Sequence, residues 1–250
     1  MEKQSSSDET RDTLFEGKLS VIQSKTGYRF SIDALLLAHF AVVRKGKRVI
    51  DLGTGNGVVA LILAWLHPSL KLTGLEIQAE MAERVARGAA LNRLSDRVSI
   101  VQGDVRAAKR LFTAGSFDIA VCNPPYRRLA SGRINPNGEK RIARHEIKAN
   151  LSNFVQAAAY LLRRGGALAV VYPATRTTDL IQTMREEGLE PKRVRLVHSF
   201  ESSEAALVMA EGIKEARSGL KIMPPLIVYT DERKYSPEMS ALLAGQSFLA

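Results

Sequence analysis

The chain has 250 residues, 45% of them hydrophobic and 25% charged, a composition that predicts one soluble α/β domain with appendages. Its formal net charge of +10 favours a polyanionic partner such as nucleic acid. The single cysteine, Cys122, excludes an internal disulfide and fits a reducing compartment. No apolar stretch reaches the ~18 residues that a membrane helix needs, and the polar N-terminus lacks a signal peptide. We therefore expect a cytoplasmic protein without membrane contact, which is either a monomer or a homodimer.

The first 45 or so residues are predicted to form an extension in front of the main domain. Residues 1–13 are polar and carry both signs of charge, so we expect a disordered leader there. Lys25-Thr26-Gly27 lies between the β-rich residues 18–23 and 28–30, which predicts a hairpin, and a helix follows over residues 34–41. We assign the chain to four parts: the leader, a hairpin and helix (14–45), the main domain (46–235) and a C-terminal tail (236–250).

From about residue 47 the pattern alternates between strand and helix. The predicted strands cover residues 47–52, 70–76, 97–102, 117–122, 167–172, 194–198 and 205–210. The predicted helices cover residues 58–66, 78–92, 105–112, 147–162 and 178–187. This alternation predicts an α/β fold with a doubly wound, mostly parallel seven-stranded sheet and helices on both faces.

A glycine-rich loop joins the first sheet strand to its helix. Gly53, Gly55 and Gly57 follow Asp51, and glycine permits the backbone conformations and the close ligand approach that a nucleotide-binding loop needs. The third glycine comes one position too early for the dinucleotide fingerprint G-x-G-x-x-G. The Asp51 carboxylate would repel a phosphate but suits a cationic or amino-bearing ligand. The loop therefore favours S-adenosylmethionine, which carries a sulfonium and an amino group, over NAD.

Two further carboxylates follow the next two strands. Glu76 ends the second strand, where a carboxylate can accept hydrogen bonds from both ribose hydroxyls of a nucleotide. Asp104 follows the third strand and can accept a hydrogen bond from an adenine amino group. Simpler interpretations are a solvated strand end for Glu76 and a helix N-cap for Asp104, and the N-cap is compatible with the cofactor role.

The loop Asn123-Pro124-Pro125-Tyr126 follows the buried fourth strand at the sheet edge where open α/β folds bind ligands. Adjacent prolines fix φ twice and remove two backbone donors, so the loop is stiff. The side-chain oxygen of Asn123 and the carbonyl of Pro124 can accept both hydrogens of a planar amino group, while Tyr126 can stack on a base. The loop predicts methyl transfer to an exocyclic amino nitrogen; the simpler interpretation is a proline turn.

Basic residues follow this loop and are candidates for contacts with substrate phosphates. They are Arg127, Arg128, Arg133, Lys140, Arg141 and Arg144. A second basic cluster, Lys192, Arg193 and Arg195, lies nearer the C-terminus. The chain has no H-x-x-x-H or C-x-x-C spacing, so we expect no metal.

Together these motifs resemble the class I methyltransferases with an N-P-P-Y motif, which modify adenine, cytosine or glutamine amino groups. Within that group the chain is most similar to the bacterial tRNA1(Val) (adenine-37-N6)-methyltransferase family. The similarity includes G-Y-R-F-S-I-D-A-L-L-L from residue 27, Ala143-Arg144-His145-Glu146 and P-P-L-I-V-Y from residue 224.

The resemblance implies a Rossmann-like fold whose N-terminal segment closes over the methionine end of S-adenosylmethionine. It implies that Asn123, Pro124 and Tyr126 contact the target adenine. It also implies that Phe30 or Asp33, together with Asp51, lies near the methionine end. The expected activity is N6-methylation of adenine in RNA, in tRNA at position 37 beside the anticodon. Methylation of a protein glutamine, of DNA adenine or of an rRNA amino group stays open, as does RNA binding without catalysis.

Overall fold

A computed structural model describes residues 8–26, 29, 31–43, 47–125, 149–231 and 233–246. The described part begins with an antiparallel hairpin of β1 (Glu9–Leu14) and β2 (Leu19–Ser24), followed by helix α1 (Ile32–Phe40). Residues 9–13, which were expected to belong to the disordered leader, are therefore part of a strand.

The hairpin turns at residues 15–18 and not at Lys25-Thr26-Gly27, so its predicted position was wrong. Phe15, Glu16 and Gly17 have φ values of 53°, 57° and 86°. Glycine is the only one of these three residue types that adopts positive φ without strain. Phe15 and Glu16 therefore gave no indication of a turn in the sequence. The buried Phe15 ring stacks on Trp65 at a centroid distance of 4.5 Å, and this long-range contact anchors the turn.

The main sheet contains seven long strands, as predicted. They are β3 (Arg48–Leu52), β4 (Lys71–Glu76), β5 (Val98–Gln102), β6 (Phe117–Cys122), β7 (Leu162–Pro173), β8 (Leu189–His198) and β9 (Ala205–Lys214). Their spatial order is β5-β4-β3-β6-β7-β9-β8, and β9 is antiparallel to both of its neighbours. Two short strands, β10 (Lys221–Ile222) and β11 (Leu226–Ile227), pair in parallel with the outer strand β8.

Helices connect the strands close to the predicted positions. They are α2 (Val58–Leu66), α3 (Ala79–Leu91), a 3-10 turn (Val105–Ala107) leading into α4 (Ala108–Leu111), α5 (Leu151–Leu161), a second 3-10 turn (Ala174–Arg176) leading into α6 (Thr177–Glu186), and α7 (Pro237–Leu243). The predicted helix 147–162 begins only at Leu151, because Asn150 and Asn153 form a reciprocal capping box. Strand β7 starts at Leu162, so the Arg-Arg-Gly-Gly segment belongs to a strand and does not terminate the helix.

Each face of the sheet packs against helices. Val49 and Val121 lie in one hydrophobic cluster with α1, α2, α7 and the hairpin, whereas Ile50 and Ala120 lie in a second cluster with α4, α5 and α6. Neighbouring strand residues point to opposite faces, so a parallel sheet buried on both sides needs apolar residues at consecutive positions. This arrangement confirms the predicted doubly wound α/β fold.

Candidate active site

The candidate site residues follow four neighbouring strands at one edge of the sheet. Leu52 of β3 pairs with Leu75 of β4 on one side and with Cys122 of β6 on the other. In the same register Glu76 pairs with Gln102 of β5. Glu76 is therefore the last residue of β4, and the glycine loop, Asp104 and Asn123 follow the ends of β3, β5 and β6, so all of them lie at the carboxyl ends of parallel strands.

Backbone geometry explains why the loop after β3 needs glycine. Gly53, Gly55 and Gly57 have φ values of 69°, 56° and 74°, which side-chain-bearing residues rarely adopt. The amides of Gly53 and Thr54 both donate to the Leu75 carbonyl, at 2.8 and 3.0 Å, and hold the loop against β4. The loop is therefore fixed in a left-handed conformation at the sheet edge.

The three glycines differ in what surrounds them. A Cβ on Gly57 would lie 2.3 Å from the Val85 side chain on α3, and one on Gly53 would lie 2.9 Å from Phe154 on α5. These two glycines are required for helix packing. A Cβ on Gly55 would meet no described atom within 4 Å, so at this position the backbone faces open space that a ligand can approach.

Glu76 is buried, with 4% of its surface exposed, so it is not a solvated strand end. Its Oε2 accepts a hydrogen bond from the Gly55 amide and its Oε1 accepts one from the Gln78 amide, each at 2.9 Å. Burial raises the pKa of Glu76 above its usual value, although these amides favour the charged form. Each carboxylate oxygen has a second lone pair, so Glu76 is able to accept from two ribose hydroxyls.

Asp51 is even more enclosed, with 2% exposure, and its Oδ2 accepts a 2.6 Å hydrogen bond from the Thr54 hydroxyl. Burial raises the pKa of Asp51 to about 7; the negative Glu76 adds to this, while the Thr54 hydroxyl and the Ala60 amide oppose it. Sequence reasoning missed Thr54. Its only signal was a hydroxyl residue three positions after a carboxylate within the glycine loop.

Asp104 is the N-cap of the 3-10 turn, because Oδ1 accepts a 2.8 Å hydrogen bond from the Arg106 amide. The Arg106 guanidinium also contacts both carboxylate oxygens, with Nε at 3.0 and 2.9 Å. The pKa of Asp104 is lowered chiefly by this guanidinium, against the opposing effect of burial. The capping role is confirmed, while the contact with an adenine amino group stays a prediction.

The described part of the N-P-P loop presents an acceptor to the site. The side-chain Oδ1 of Asn123 is buried and has no hydrogen-bond partner among the described residues. Pro124 is buried and Pro125 is exposed. A buried acceptor without a partner is costly in an empty protein, so this geometry suits a ligand that donates hydrogen bonds.

Several predicted site residues fall outside the described residues, and one lies at the start of α1. Asp33 is in the first turn of that helix and is buried. Outside the described residues are Phe30, Tyr126, Arg127, Arg128, Arg133, Lys140, Arg141 and Arg144.

The second basic cluster does not form a solvated surface patch. Arg193 lies over the Phe40 ring and donates to both oxygens of Glu211, at 3.0 and 2.9 Å. Arg195 makes a bidentate pair with Glu238, at 2.6 and 2.8 Å. These arginines hold β8 against its neighbours. The two arginines are close together in the sequence, which suggested a basic patch. The sequence alone does not show that each of them pairs with a distant carboxylate.

The described residues contain no group of three or more His, Cys, Asp or Glu residues arranged to hold a metal ion. None of their helices is long and apolar enough to cross a membrane.

The methyltransferase small domain family matches residues 31–187, a range that includes the glycine loop, Glu76, Asp104 and the N-P-P loop. The chain belongs to this family. It is an S-adenosylmethionine-dependent methyltransferase. The buried Glu76 carboxylate, the open backbone at Gly55 and the Asn123 acceptor fit a site that holds this cofactor beside a hydrogen-bond-donating substrate.

Curated relatives match most of the chain. The tRNA1(Val) (adenine(37)-N6)-methyltransferase of Porphyromonas gingivalis is 29% identical over 230 residues, covering 88% of this chain and 89% of the relative. The Tolumonas auensis protein of the same name is 24% identical over 221 residues, covering 88% and 90%.

Solved structures share the architecture. A predicted O-methyltransferase from Agrobacterium tumefaciens has a TM-score of 0.71 at 22% identity, covering 86% of this chain and 97% of its own. An S-adenosylmethionine-dependent O-methyltransferase from Thermotoga maritima has a TM-score of 0.52 at 20% identity, covering 78% and 69%. At these identities the likeness shows the fold alone.

Proposed function

We propose that the protein methylates N6 of an adenine in RNA, and that its substrate is adenosine 37 of a tRNA, beside the anticodon. The observation that carries this proposal is the buried Asn123 Oδ1 without a described partner, at the end of β6. The names of the curated relatives and the net charge of +10 support tRNA as the molecule that carries the adenine.

The loop acts through positioning and electrostatics. When bound, S-adenosylmethionine would supply an electrophilic methyl group: its C–S bond would break as the N–C bond forms, S-adenosylhomocysteine would leave, and a proton of the methylated nitrogen would pass to solvent. Asn123 Oδ1 and the Pro124 carbonyl accept the two hydrogens of the adenine amino group, which draws the nitrogen from planar towards pyramidal and frees its lone pair. As the nitrogen becomes positive, these fixed acceptors stabilise its developing charge, and one such preorganised hydrogen bond contributes roughly 10²–10³-fold to a rate.

The cofactor would lie on the other side of the same edge. Glu76 holds the ribose, Asp104 accepts from the adenine amino group of the cofactor, and Asp51 with Asp33 or Phe30 faces the methionine end. The basic residues that follow Tyr126, from Arg127 to Arg144, contact backbone phosphates, and Tyr126 stacks on the target base. A tRNA substrate would make the cytoplasm the site of the reaction.

The test uses methyl-labelled S-adenosylmethionine and three acceptors: tRNA transcripts without modifications, duplex DNA, and a glutamine-containing release-factor domain. We expect label in tRNA, recovered as N6-methyladenosine by mass spectrometry of nucleosides, and lost when adenosine 37 is changed to guanosine. Label only in DNA or in the glutamine domain would overturn the proposal. Label in tRNA at another adenosine would overturn the position alone.

A further inference from the structure

Arg176 follows β7, the neighbour of the strand that leads into the N-P-P loop, at the carboxyl edge of the sheet. Cys122, the last residue of β6, pairs with Val170 of β7. Continuing this parallel register by two residues would put Pro124 level with Tyr172. Neighbouring strands are ~4.8 Å apart. The 3-10 turn that follows β7 ends at Arg176 and leads into α6. The arginine is therefore one strand away from the loop that would bind the target base.

The Arg176 side chain is held by two contacts, and part of it is still exposed. Its guanidinium lies over the Tyr172 ring, with Cζ 5.0 Å from the centroid, and Nη1 donates to the Tyr172 hydroxyl at 2.5 Å. Its Nε donates to Asp179 at 2.8 Å. Tyr172 is 1% exposed, whereas the Arg176 side chain is 30% exposed. A buried aromatic ring therefore fixes the plane of a guanidinium that solvent reaches.

This arrangement differs from that of the arginines on β8. Arg193 and Arg195 direct two nitrogens each at one carboxylate, and their side chains are 16% and 14% exposed. Arg176 uses only Nε for its carboxylate contact and Nη1 for the phenol. A guanidinium has five N–H donors, and no contact of Nη2 with a described residue is seen, so this nitrogen can donate to an anion.

We propose that Arg176 binds a phosphate of the RNA strand next to the nucleotide whose base enters the N-P-P loop. Tyr172 and Asp179 hold the guanidinium in place, so little side-chain entropy is lost when a phosphate binds. The proposal rests on the proposed RNA methylation and assigns a residue outside the basic stretch after Tyr126 to the same substrate.

The experiment measures tRNA methylation by Arg176→Ala, with Arg185→Ala as the matched control. Arg185 is on α6, the helix that begins directly after Arg176; it is 66% exposed and pairs with Glu190 at 3.5 Å. We expect Arg176→Ala to raise KM for tRNA several-fold. We also expect it to reduce the slope of log affinity against log salt by about 0.7, the value for one phosphate of a single strand. Arg185→Ala should change neither quantity, and both variants should keep the wild-type affinity for S-adenosylmethionine.

A second variant separates RNA binding from a structural role of the ion pair. Asp179→Asn removes the negative charge beside Arg176. If Arg176 binds a phosphate, this substitution lowers KM for tRNA; if the pair only stabilises α6, it lowers the unfolding temperature and leaves KM unchanged. Arg176→Lys keeps the charge but not the planar donor set, and it should give an intermediate KM.

Equal KM values and salt slopes for Arg176→Ala and Arg185→Ala would overturn the phosphate contact while leaving the methylation intact. A wild-type enzyme that does not methylate tRNA would instead overturn the proposed function, and this inference with it.

Discussion

The two halves of the site edge present opposite kinds of groups. On the side of β3, β4 and β5, the carboxylates of Asp51 and Glu76 contact the glycine loop, and burial raises the pKa of both. Asp104, after β5, is paired with Arg106. On the side of β6 and β7, the described groups include the neutral acceptor of Asn123 and the guanidinium of Arg176, which pairs with Asp179 through Nε alone. A cationic cofactor suits the first half, and under the proposed function a polyanionic RNA strand would lie against the second.

The largest effect is expected from a substitution that changes only the substrate half of the site. Asn123→Ala removes the proposed acceptor for the amino group, and Oδ1 of Asn123 has no hydrogen bond to a described residue of the cofactor half. We expect kcat to fall by about 10³-fold, while the affinity for S-adenosylmethionine stays within about twofold of wild type. Single-turnover methylation and calorimetric cofactor binding measure the two quantities. Turnover near the wild-type value would show that Asn123 does not hold the amino group.

Asp51→Asn tests the cofactor half of the site through the pH dependence of protein stability. The pKa of Asp51 in the folded protein, about 7, lies above the usual aspartate value of 3.8, so the folded state keeps a proton that the unfolded state releases. The wild-type protein therefore loses stability as pH rises from about 4 to about 7. A side chain that cannot ionise avoids this loss, so the cofactor-free variant should be more stable at pH 8 by up to about 4 kcal/mol. It should also bind S-adenosylmethionine more weakly.

Asp118→Asn, on the neighbouring strand β6, is the control, because the pKa of Asp118 is shifted in the opposite direction. Burial would raise the pKa of Asp118, but the Arg48 amide, Arg163 and Lys47 outweigh it and lower the pKa to about 2. The stability from this group is present above pH 4 and is lost as pH falls towards 2. Asp118→Asn should therefore be less stable than wild type at pH 8. Thermal unfolding of both variants from pH 4 to 8 measures the difference; equal pH profiles would contradict the raised pKa of Asp51.

Gly57→Ala tests whether the glycine loop is fixed by packing as well as by φ. The new Cβ would lie 2.3 Å from Val85 at a φ of 74°. We expect the free energy of unfolding to fall by about 3 kcal/mol, the sum of left-handed strain and overpacking. Gly188→Ala is the control, because its φ is 72° but no described atom lies within 4 Å, so only about 1 kcal/mol should be lost. Urea unfolding compares them, and equal losses would exclude the packing contribution.

The sequence was most informative where chemistry and backbone geometry act locally. The bounds of β6 and α2 agree with the predicted residues, because an apolar run limited by glycine or proline has few alternatives. The sequence could assign Gly53, Glu76 and Asp104 to one cofactor site, because parallel strands end at the same edge of the sheet. What could not be predicted depends on distant partners: the Phe15 stacking that sets the hairpin turn, and the carboxylates that bind Arg193 and Arg195.

The hairpin has contacts with both α3 and the glycine loop. It docks on α3 through Asn92, which accepts from the Ser20 amide at 2.8 Å and donates to the Ser20 carbonyl at 2.7 Å. It also reaches the glycine loop, where the Asn56 amide donates to Gln23 Oε1 at 3.4 Å. Asn56 lies between Gly55 and Gly57, so the second contact touches the cofactor half of the edge.

The smallest expected effect separates these two attachments. Gln23→Ala loses the contact with the loop, and we expect the Kd for S-adenosylmethionine to rise about threefold, the effect of one modest hydrogen bond. Asn92→Ala should lower the free energy of unfolding by about 1–2 kcal/mol without changing that Kd. Calorimetric titration and urea unfolding of both variants measure the two quantities. If Asn92→Ala weakened cofactor binding as much as Gln23→Ala, the hairpin would support the site only by docking on α3, and Gln23 would have no separate effect on the loop.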